Sequence, residues 1–241
     1  MLQIGGVLQV SKGVLTKTDD ASNTLYSERY QQTYHSTFGA LSESMHVFLH
    51  GANVVERLSA GQPTRVLEIG LGLGLNCLLS ADVASTHQTP LDYTGIENDL
   101  ITTAQLQSLG YQQLLREPAL VEDFAQLLGN PNHPAKLGEQ TSVTLQVADA
   151  TSEKVLDNLA TQPTFHAIYH DAFSPEHNPE CWTLAFFQHM FRLLASDGIL
   201  ATYCVKGTVR RNLEAAGFMV QKYPGPTGKR EVLRACIPPL A

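Results

Sequence analysis

The segment from Arg65 to Asn76, RVLEIGLGLGLN, constrains this chain's fold more than any other: an apolar run of strand type enters glycines at 70, 72 and 74, then opens a helix. Gly70, Gly72 and Gly74 let the backbone turn sharply and lie close to a bound group that any Cβ would push away. The spacing is G-x-G-x-G and not the dinucleotide pattern G-x-G-x-x-G. Glu68 stands just before the turn, where a carboxylate attracts an ammonium and repels a phosphate. With Asn76 closing the motif, the segment points to the amino-acid end of S-adenosylmethionine. A tight strand-to-helix turn without a ligand is the alternative.

From that turn onward strands and helices alternate. RVLEIG is followed by a helix from about Gly74 to Ala84, DYTGIE by helices through 99–128, SVTLQVAD by a short helix over 151–160, and FHAIYHD by a helix over 179–195. GILATYC, a helix over 207–216, FMVQKY and REVLRAC complete the series, with PGPTGK between the last two strands too short for a crossover helix. The pattern predicts an α/β fold, a seven-stranded, mostly parallel, Rossmann-like sheet with helices on both faces and an antiparallel last strand, which resembles the class I methyltransferase fold. Before it, the runs VLQV, VLTK, TLYS and QTYHS predict a small β meander, and 40–60 predicts a helix with Leu41, Met45, Phe48 and Leu49 on one face. The division expected is a β-rich appendage over 1–39 and a methyltransferase domain over 40–241. Residues 129–140 (GNPNHPAKLGEQ) read as a loop.

Two further strands end in acids. Glu97 closes GIE, placed to accept hydrogen bonds from both hydroxyls of a ribose, and Asp149 closes VAD, where a carboxylate can take an adenine amine. Each also suits a helix N-cap.

Composition narrows the class. No apolar run reaches the ~18 residues of a membrane span, and the N-terminus lacks a basic stretch followed by a long apolar one, so a soluble, cytoplasmic protein is expected. Cys77, Cys181, Cys204 and Cys236 are far apart, and the nine histidines form no ligand spacing, so no metal is expected. The net charge of -7 is uneven: from Cys204 onward seven basic residues face two acidic ones, a balance of +5 that leaves -12 for the rest. That basic tail is either a docking face for a polyanion or a solvated surface.

The fourth strand delivers Tyr169-His170-Asp171-Ala172-Phe173-Ser174-Pro175. In this architecture that strand end faces the transferred methyl group, so an Asp with an aromatic two places on sits where an amine acceptor would be held. Four patches, E-x-G-x-G-x-G-L-N at 68–76, D-A-F-S-P-x-x-N-P-E-x-W at 171–182, G-T-V-R-R-N-L-E-A-A-G-F at 207–218 and K-R-E at 229–231, then carry a family resemblance. The chain resembles the tRNA 5-methylaminomethyl-2-thiouridine methyltransferases, known as MnmD when standalone and as the N-terminal half of bifunctional MnmC. A looser match lies in Tyr34-His35-Ser36 with Gly39-Ala40-Leu41-Ser42-Glu43.

The resemblance implies S-adenosylmethionine as cofactor, tRNA as partner, and methylation of the 5-aminomethyl group on the wobble uridine. No second glycine fingerprint follows, so no flavin is expected and the step that releases the amine must come from elsewhere. The family's closing turn more often reads G-F-G-R-K-R-E. Here it is Gly225-Pro226-Thr227-Gly228-Lys229-Arg230-Glu231, without the aromatic and one cation.

Asp171 is the candidate catalytic residue, orienting an ammonium and relaying its proton to water. Phe173 or Trp182 is placed to pack against the uracil, with core packing the alternative for both. Arg210, beside Arg211 and Lys206, and the pair Lys229 and Arg230 are candidate contacts for tRNA phosphates. Two rival readings remain: an aminopropyltransferase of the spermidine-synthase type, whose aspartate-rich polyamine pocket is not evident here, and a non-catalytic RNA-binding module of the same fold.

Overall fold

The computed structural model describes residues 13–239, and the run VLQV at 7–10 lies outside them. Its core is a sheet of eight strands: β4 Thr64–Ile69, β5 Leu91–Glu97, β6 Ala135–Leu137, β7 Thr141–Val147, β8 Phe165–His170, β9 Leu194–Thr202, β10 Met219–Pro224 and β11 Glu231–Cys236. Their order across the sheet is β10-β11-β9-β8-β4-β5-β7-β6. The central strands β4, β5 and β8 are almost wholly buried, as parallel strands covered on both faces must be. β11 runs antiparallel between β9 and β10, so the expected last strand is inserted and not appended.

All seven expected strands form. The eighth, β6, comes from the segment read as a loop and pairs antiparallel with β7 through Ala135, Lys136 and Leu137. Only Leu137 of the three is buried, so no alternation long enough to register as a strand exists.

Two packed layers flank the sheet. One is built from α2 Val54–Ser59, α3 Leu75–His87, α4 Thr103–Leu109 and α5 Leu120–Gly129, centred on Phe48, Tyr93 and Phe124. The other is built from α6 Glu153–Ala160, α7 Leu184–Leu193 and α8 Gly207–Ala215, around Phe165, Trp182 and Phe187. Before them, β1 Val14–Lys17, β2 Asn23–Ser27 and β3 Gln32–Thr33 form a separate antiparallel meander.

The helix expected over 40–60 is broken. One α turn, α1 Ala40–Glu43, widens into a π-helical stretch over Ser44–His50, and Asn53 then takes a left-handed conformation (φ 57°) before α2. Val47, Phe48 and Leu49 are all buried, three successive residues that an α-helix would spread around more than half its circumference. The wider turn keeps them inward.

Gly74 caps α3 with φ 79°, and a Cβ there would collide with the ring of Phe124 from α5. Gly74→Ala should therefore lose about 2–4 kcal/mol, from left-handed strain and overpacking together. Denaturant unfolding checks this, and Phe124→Leu in the Gly74→Ala background should restore part of the loss.

Candidate functional site

The ends of β4, β5 and β8 meet at one wall. Gly70 and Leu71 donate their N–H groups to the carbonyl of Ile96 at 3.0 and 3.1 Å, and Asp171 donates its own to Ile69 at 2.9 Å. Gly70 (φ 83°) leaves no room for a side chain: a Cβ would stand 2.8 Å from the carbonyl oxygen of Asp171. At Gly72 (φ 54°) it would meet Tyr34. The Gly72 N–H bonds the Glu97 carboxylate at 2.9 Å, and Glu97 also accepts from Asn98 and Asp99. Burial raises the Glu97 carboxyl above its ordinary range, against the pull of those donors.

Beneath the turn lies a second set of carboxyls. Glu68 is fully buried and accepts hydrogen bonds from Tyr93 Oη at 2.7 Å and Asn76 Nδ2 at 2.8 Å. The same Asn76 Nδ2 reaches Asp171 Oδ2 at 3.1 Å. Asn76 Oδ1 is buried with no partner among the described residues. Burial outweighs the two donors and pushes Glu68 up to about 8. Asp171 is also raised well above the carboxylate range, first by burial, then by the charges of Glu43 and Glu68, while Lys229 and Asn76 oppose.

The N-terminal meander and the β10–β11 hairpin complete the walls. Tyr30 stacks on Phe173 with ring centroids 4.2 Å apart, and Tyr34 meets Phe173 edge-on at 5.1 Å. Glu43, only 6% exposed, accepts from the Ser36 N–H at 2.8 Å and forms an ion pair with Lys229. Lys229 Nζ also lies 4.5 Å from the centre of the Tyr203 ring. The open cleft between these walls measures about 770 Å³ and is lined by Gly70, Gly72, Glu97, Asp149, Asp171 and Phe173 together with Tyr30, Tyr34, Glu43 and Lys229. That volume accommodates a nucleoside-sized ligand with a second base beside it.

Several sequence expectations fall elsewhere. Trp182 does not line the cleft. Its indole is buried against His170 at 4.3 Å, and its Nε1 donates to the Phe173 carbonyl at 2.8 Å, so it braces the loop from behind. Glu68, Gly74 and Asn76 support the turn from below and are likewise absent from the cleft lining. Asp149 is exposed at the edge, its Oδ1 accepting from the N–H and hydroxyl of Thr151. Neither Glu97 nor Asp149 caps a helix: α4 is capped by Thr102 and α6 by Ser152.

The basic tail is largely paired within the chain: Lys206 with Glu176, Arg210 with Glu214 at 3.8 Å, Lys222 with Glu231 at 2.7 Å, and Lys229 with Glu43. Arg210 and Arg230 are exposed and outside the main cleft. Sequence reasoning missed Tyr30 altogether, and it noticed Tyr34 and Glu43 only as a loose family match. Among the described residues, no group of three or more His, Cys, Asp or Glu side chains is arranged to hold a metal, and no helix is long and apolar enough to cross a membrane.

Comparison with known proteins agrees with this geometry. A family described as S-adenosyl-L-methionine-dependent methyltransferase matches residues 117–238. The tRNA 5-methylaminomethyl-2-thiouridine biosynthesis bifunctional protein MnmC of Azoarcus sp. is 34% identical over 223 residues, covering 88% of this chain and 34% of that protein. The protein of the same name from Cupriavidus metallidurans is 32% identical over 240 residues, covering 97% and 35%. The chain thus spans about a third of the length of the curated relatives it matches. Among solved structures, MNMC2 from Aquifex aeolicus superposes with a TM-score of 0.78 at 25% identity, covering 97% of this chain and 74% of that one.

The buried Glu68 has a measurable consequence. Its folded form holds a proton that the unfolded chain releases above pH 4.5, so its contribution to stability is full below that pH and is lost as pH rises towards about 8. Glu68→Gln removes this dependence. Relative to wild type, the variant should gain on the order of 3 kcal/mol between pH 5 and 8.5, read as the change in the Tm difference between the two proteins.

Proposed function

Because this chain belongs to the S-adenosyl-L-methionine-dependent methyltransferase family, we propose that it methylates the primary amine of 5-aminomethyluridine derivatives at the wobble position of tRNA. The observation that carries this reading is the setting of Asp171: one face of its carboxylate is fixed by Asn76, the other opens to a cleft shared with Phe173 and Glu43. The named activity of the MnmC relatives, of which this chain matches about a third, supports the same substrate.

In this reading the two ends of the cleft have different tasks. Gly70 and Gly72 would let the cofactor approach the backbone closely, Glu97 would accept from its ribose hydroxyls and Asp149 from its adenine amine. Glu68 and Asn76 would act on the cationic amino-acid end from beneath the turn, through the unpartnered Asn76 Oδ1 and the buried Glu68 carboxyl. When bound, S-adenosylmethionine would supply an electrophilic methyl carbon on a sulfonium for transfer to the amine.

The protein's contribution is to deliver that lone pair. A primary alkyl ammonium resembles lysine, with a pKa of ~10.4, and is almost wholly protonated at neutral pH. Asp171 attracts and orients it, accepts one proton at a carboxylate oxygen, and passes that proton to water. Phe173 packs on the uracil ring, with Tyr30 on its other side at the mouth. Arg230, and Arg210 through its exposed and weak pairing with Glu214, remain open to tRNA phosphates, whereas Lys229 is committed to Glu43. A place in the cytoplasm, where such a tRNA is found, belongs to the same proposal.

Nucleoside mass spectrometry of hypomodified tRNA, treated with the protein and S-adenosylmethionine, tests the reading directly. A methyl on the aminomethyl nitrogen is expected; methylation at any other atom, or aminopropylation with decarboxylated cofactor and putrescine, overturns it. Asp171→Ala should lower kcat by about 10²–10⁴-fold and leave the cofactor Kd within about threefold. Reversal of charge at Arg210 and Arg230 should weaken tRNA binding, with a shallower dependence on salt.

A further inference from the structure

The amine chemistry just described leaves a mismatch that the cleft itself addresses. An ordinary aspartate, at ~3.9, and a primary ammonium, at ~10.4, differ in proton affinity by more than a millionfold, so an isolated carboxylate is a poor acceptor for the proton that must leave. Every tenfold gain in the carboxylate's affinity for that proton shortens the gap. A fixed negative charge nearby supplies such a gain.

Glu43 is that charge. It closes the one-turn helix α1 and lines the same cleft as Asp171. Its carboxylate is almost completely buried and is fixed from two sides, by the Ser36 N–H and by Lys229. A buried carboxylate is an expensive brace, since neutral hydrogen-bonding side chains could join the same segments without the cost of removing a charge from water. Nearby His35 does not neutralise it: burial holds the imidazole down to about 4, and Nδ1 is engaged with Thr24 Oγ1 at 3.1 Å.

We propose that Glu43 is a positioning residue that acts through Asp171, its fixed negative charge making Asp171 an effective acceptor for the substrate's ammonium proton, with Lys229 as the counter-charge that limits the effect. This inference rests on the amine-methylation reading. The groups facing Asp171 divide cleanly. Glu43 from α1 and Glu68 from β4 favour its protonated form, whereas Lys229 from the hairpin and Asn76 from α3 favour the ionised one. Tyr203, after β9, lies beside the Lys229 ammonium, donates its hydroxyl to the Ala172 carbonyl at 2.9 Å and stays neutral because it is buried. In the step itself, one proton moves from the ammonium nitrogen to an Asp171 oxygen, the nitrogen keeps the electron pair, and the proton later leaves to water. No redox partner is needed.

Glu43 and Lys229 form one ion pair, yet this role gives their removal opposite signs. Glu43→Gln deletes the negative charge and frees Lys229 to turn to Asp171, so the proton affinity of Asp171 falls. Lys229→Met deletes the positive charge and leaves Glu43, so it rises. A simple brace predicts matching losses of Tm from both variants and no movement of either kind.

The test has two arms. In protein free of tRNA, with ¹³C-labelled aspartate, the titration midpoint of Asp171 should move down by about one pH unit or more in Glu43→Gln and up in Lys229→Met, with Glu43→Asp near wild type. In turnover, the acid limb of kcat/KM should follow the same two directions, and Glu43→Gln should lose about tenfold or more in kcat at neutral pH while the Kd for S-adenosylhomocysteine stays within about threefold. Midpoints that do not move, or that move the same way in both variants, overturn the proposal. So does a Lys229→Met variant whose only defect is a salt-dependent rise in KM, the signature of a phosphate contact. If wild-type protein leaves an aminomethylated tRNA unmethylated, the substrate reading falls, while the midpoints still decide the role of Glu43.

Discussion

The loops after β4 and β8 share one wall because Gly70 has no side chain: a Cβ there would sit 2.8 Å from the Asp171 carbonyl oxygen and 3.0 Å from the Ala172 backbone. That close approach lets Asp171 bond back to Ile69 and lets the Gly70 and Leu71 amides bond to Ile96. Three parallel strand ends are thereby tied into one surface: Asp171 and Glu97 line the cleft, and Glu68 lies buried beneath the turn. The order β8-β4-β5-β7 places Asp171, Glu68, Glu97 and Asp149 along one edge of the sheet, in the sequence in which a long nucleoside ligand would meet them.

The same compaction governs the electrostatics. Carboxyls brought together at low exposure repel one another and lose solvation, and each of Glu68, Glu97 and Asp171 is shifted upward with burial as the leading cause. What distinguishes them is the company they keep. Glu97 faces backbone amides, Glu68 a phenol and a carboxamide, and Asp171 a carboxamide and an ammonium across the cleft. Similar acids thus end in three different settings through their neighbours, not through their chemistry.

Most of the sheet was legible in the sequence because burial on both faces writes continuous apolar runs, such as RVLEI and FHAIYH, and because the spaced glycines mark the switch from strand to helix. β6 was not legible: three residues around Lys136 pair only because β7 offers an open edge. The π-helical stretch was hidden because periodicity assumes a uniform turn, whereas Val47, Phe48 and Leu49 all bury at once. Trp182 shows the limit of motif reading. It sits in a distinctive patch, but its indole N–H holds the loop that presents Phe173. The paired state of the basic tail was equally invisible, since charge counts do not say which acid lies across the fold.

The ion pair between Glu43 and Lys229 joins positions 186 residues apart in the chain. A ribosome making this protein completes the glycine turn, Glu97, Asp149 and Asp171 long before Lys229 exists, so that end of the cleft is covalently complete while Glu43 still lacks its cation. Until the last hairpin docks, that glutamate is better solvated in water than buried in the cleft, and the segment carrying Tyr30 and Tyr34 has less reason to settle. The two ends of the cleft therefore have different birth dates during synthesis, and the end closed by Glu43 and Lys229 is the younger.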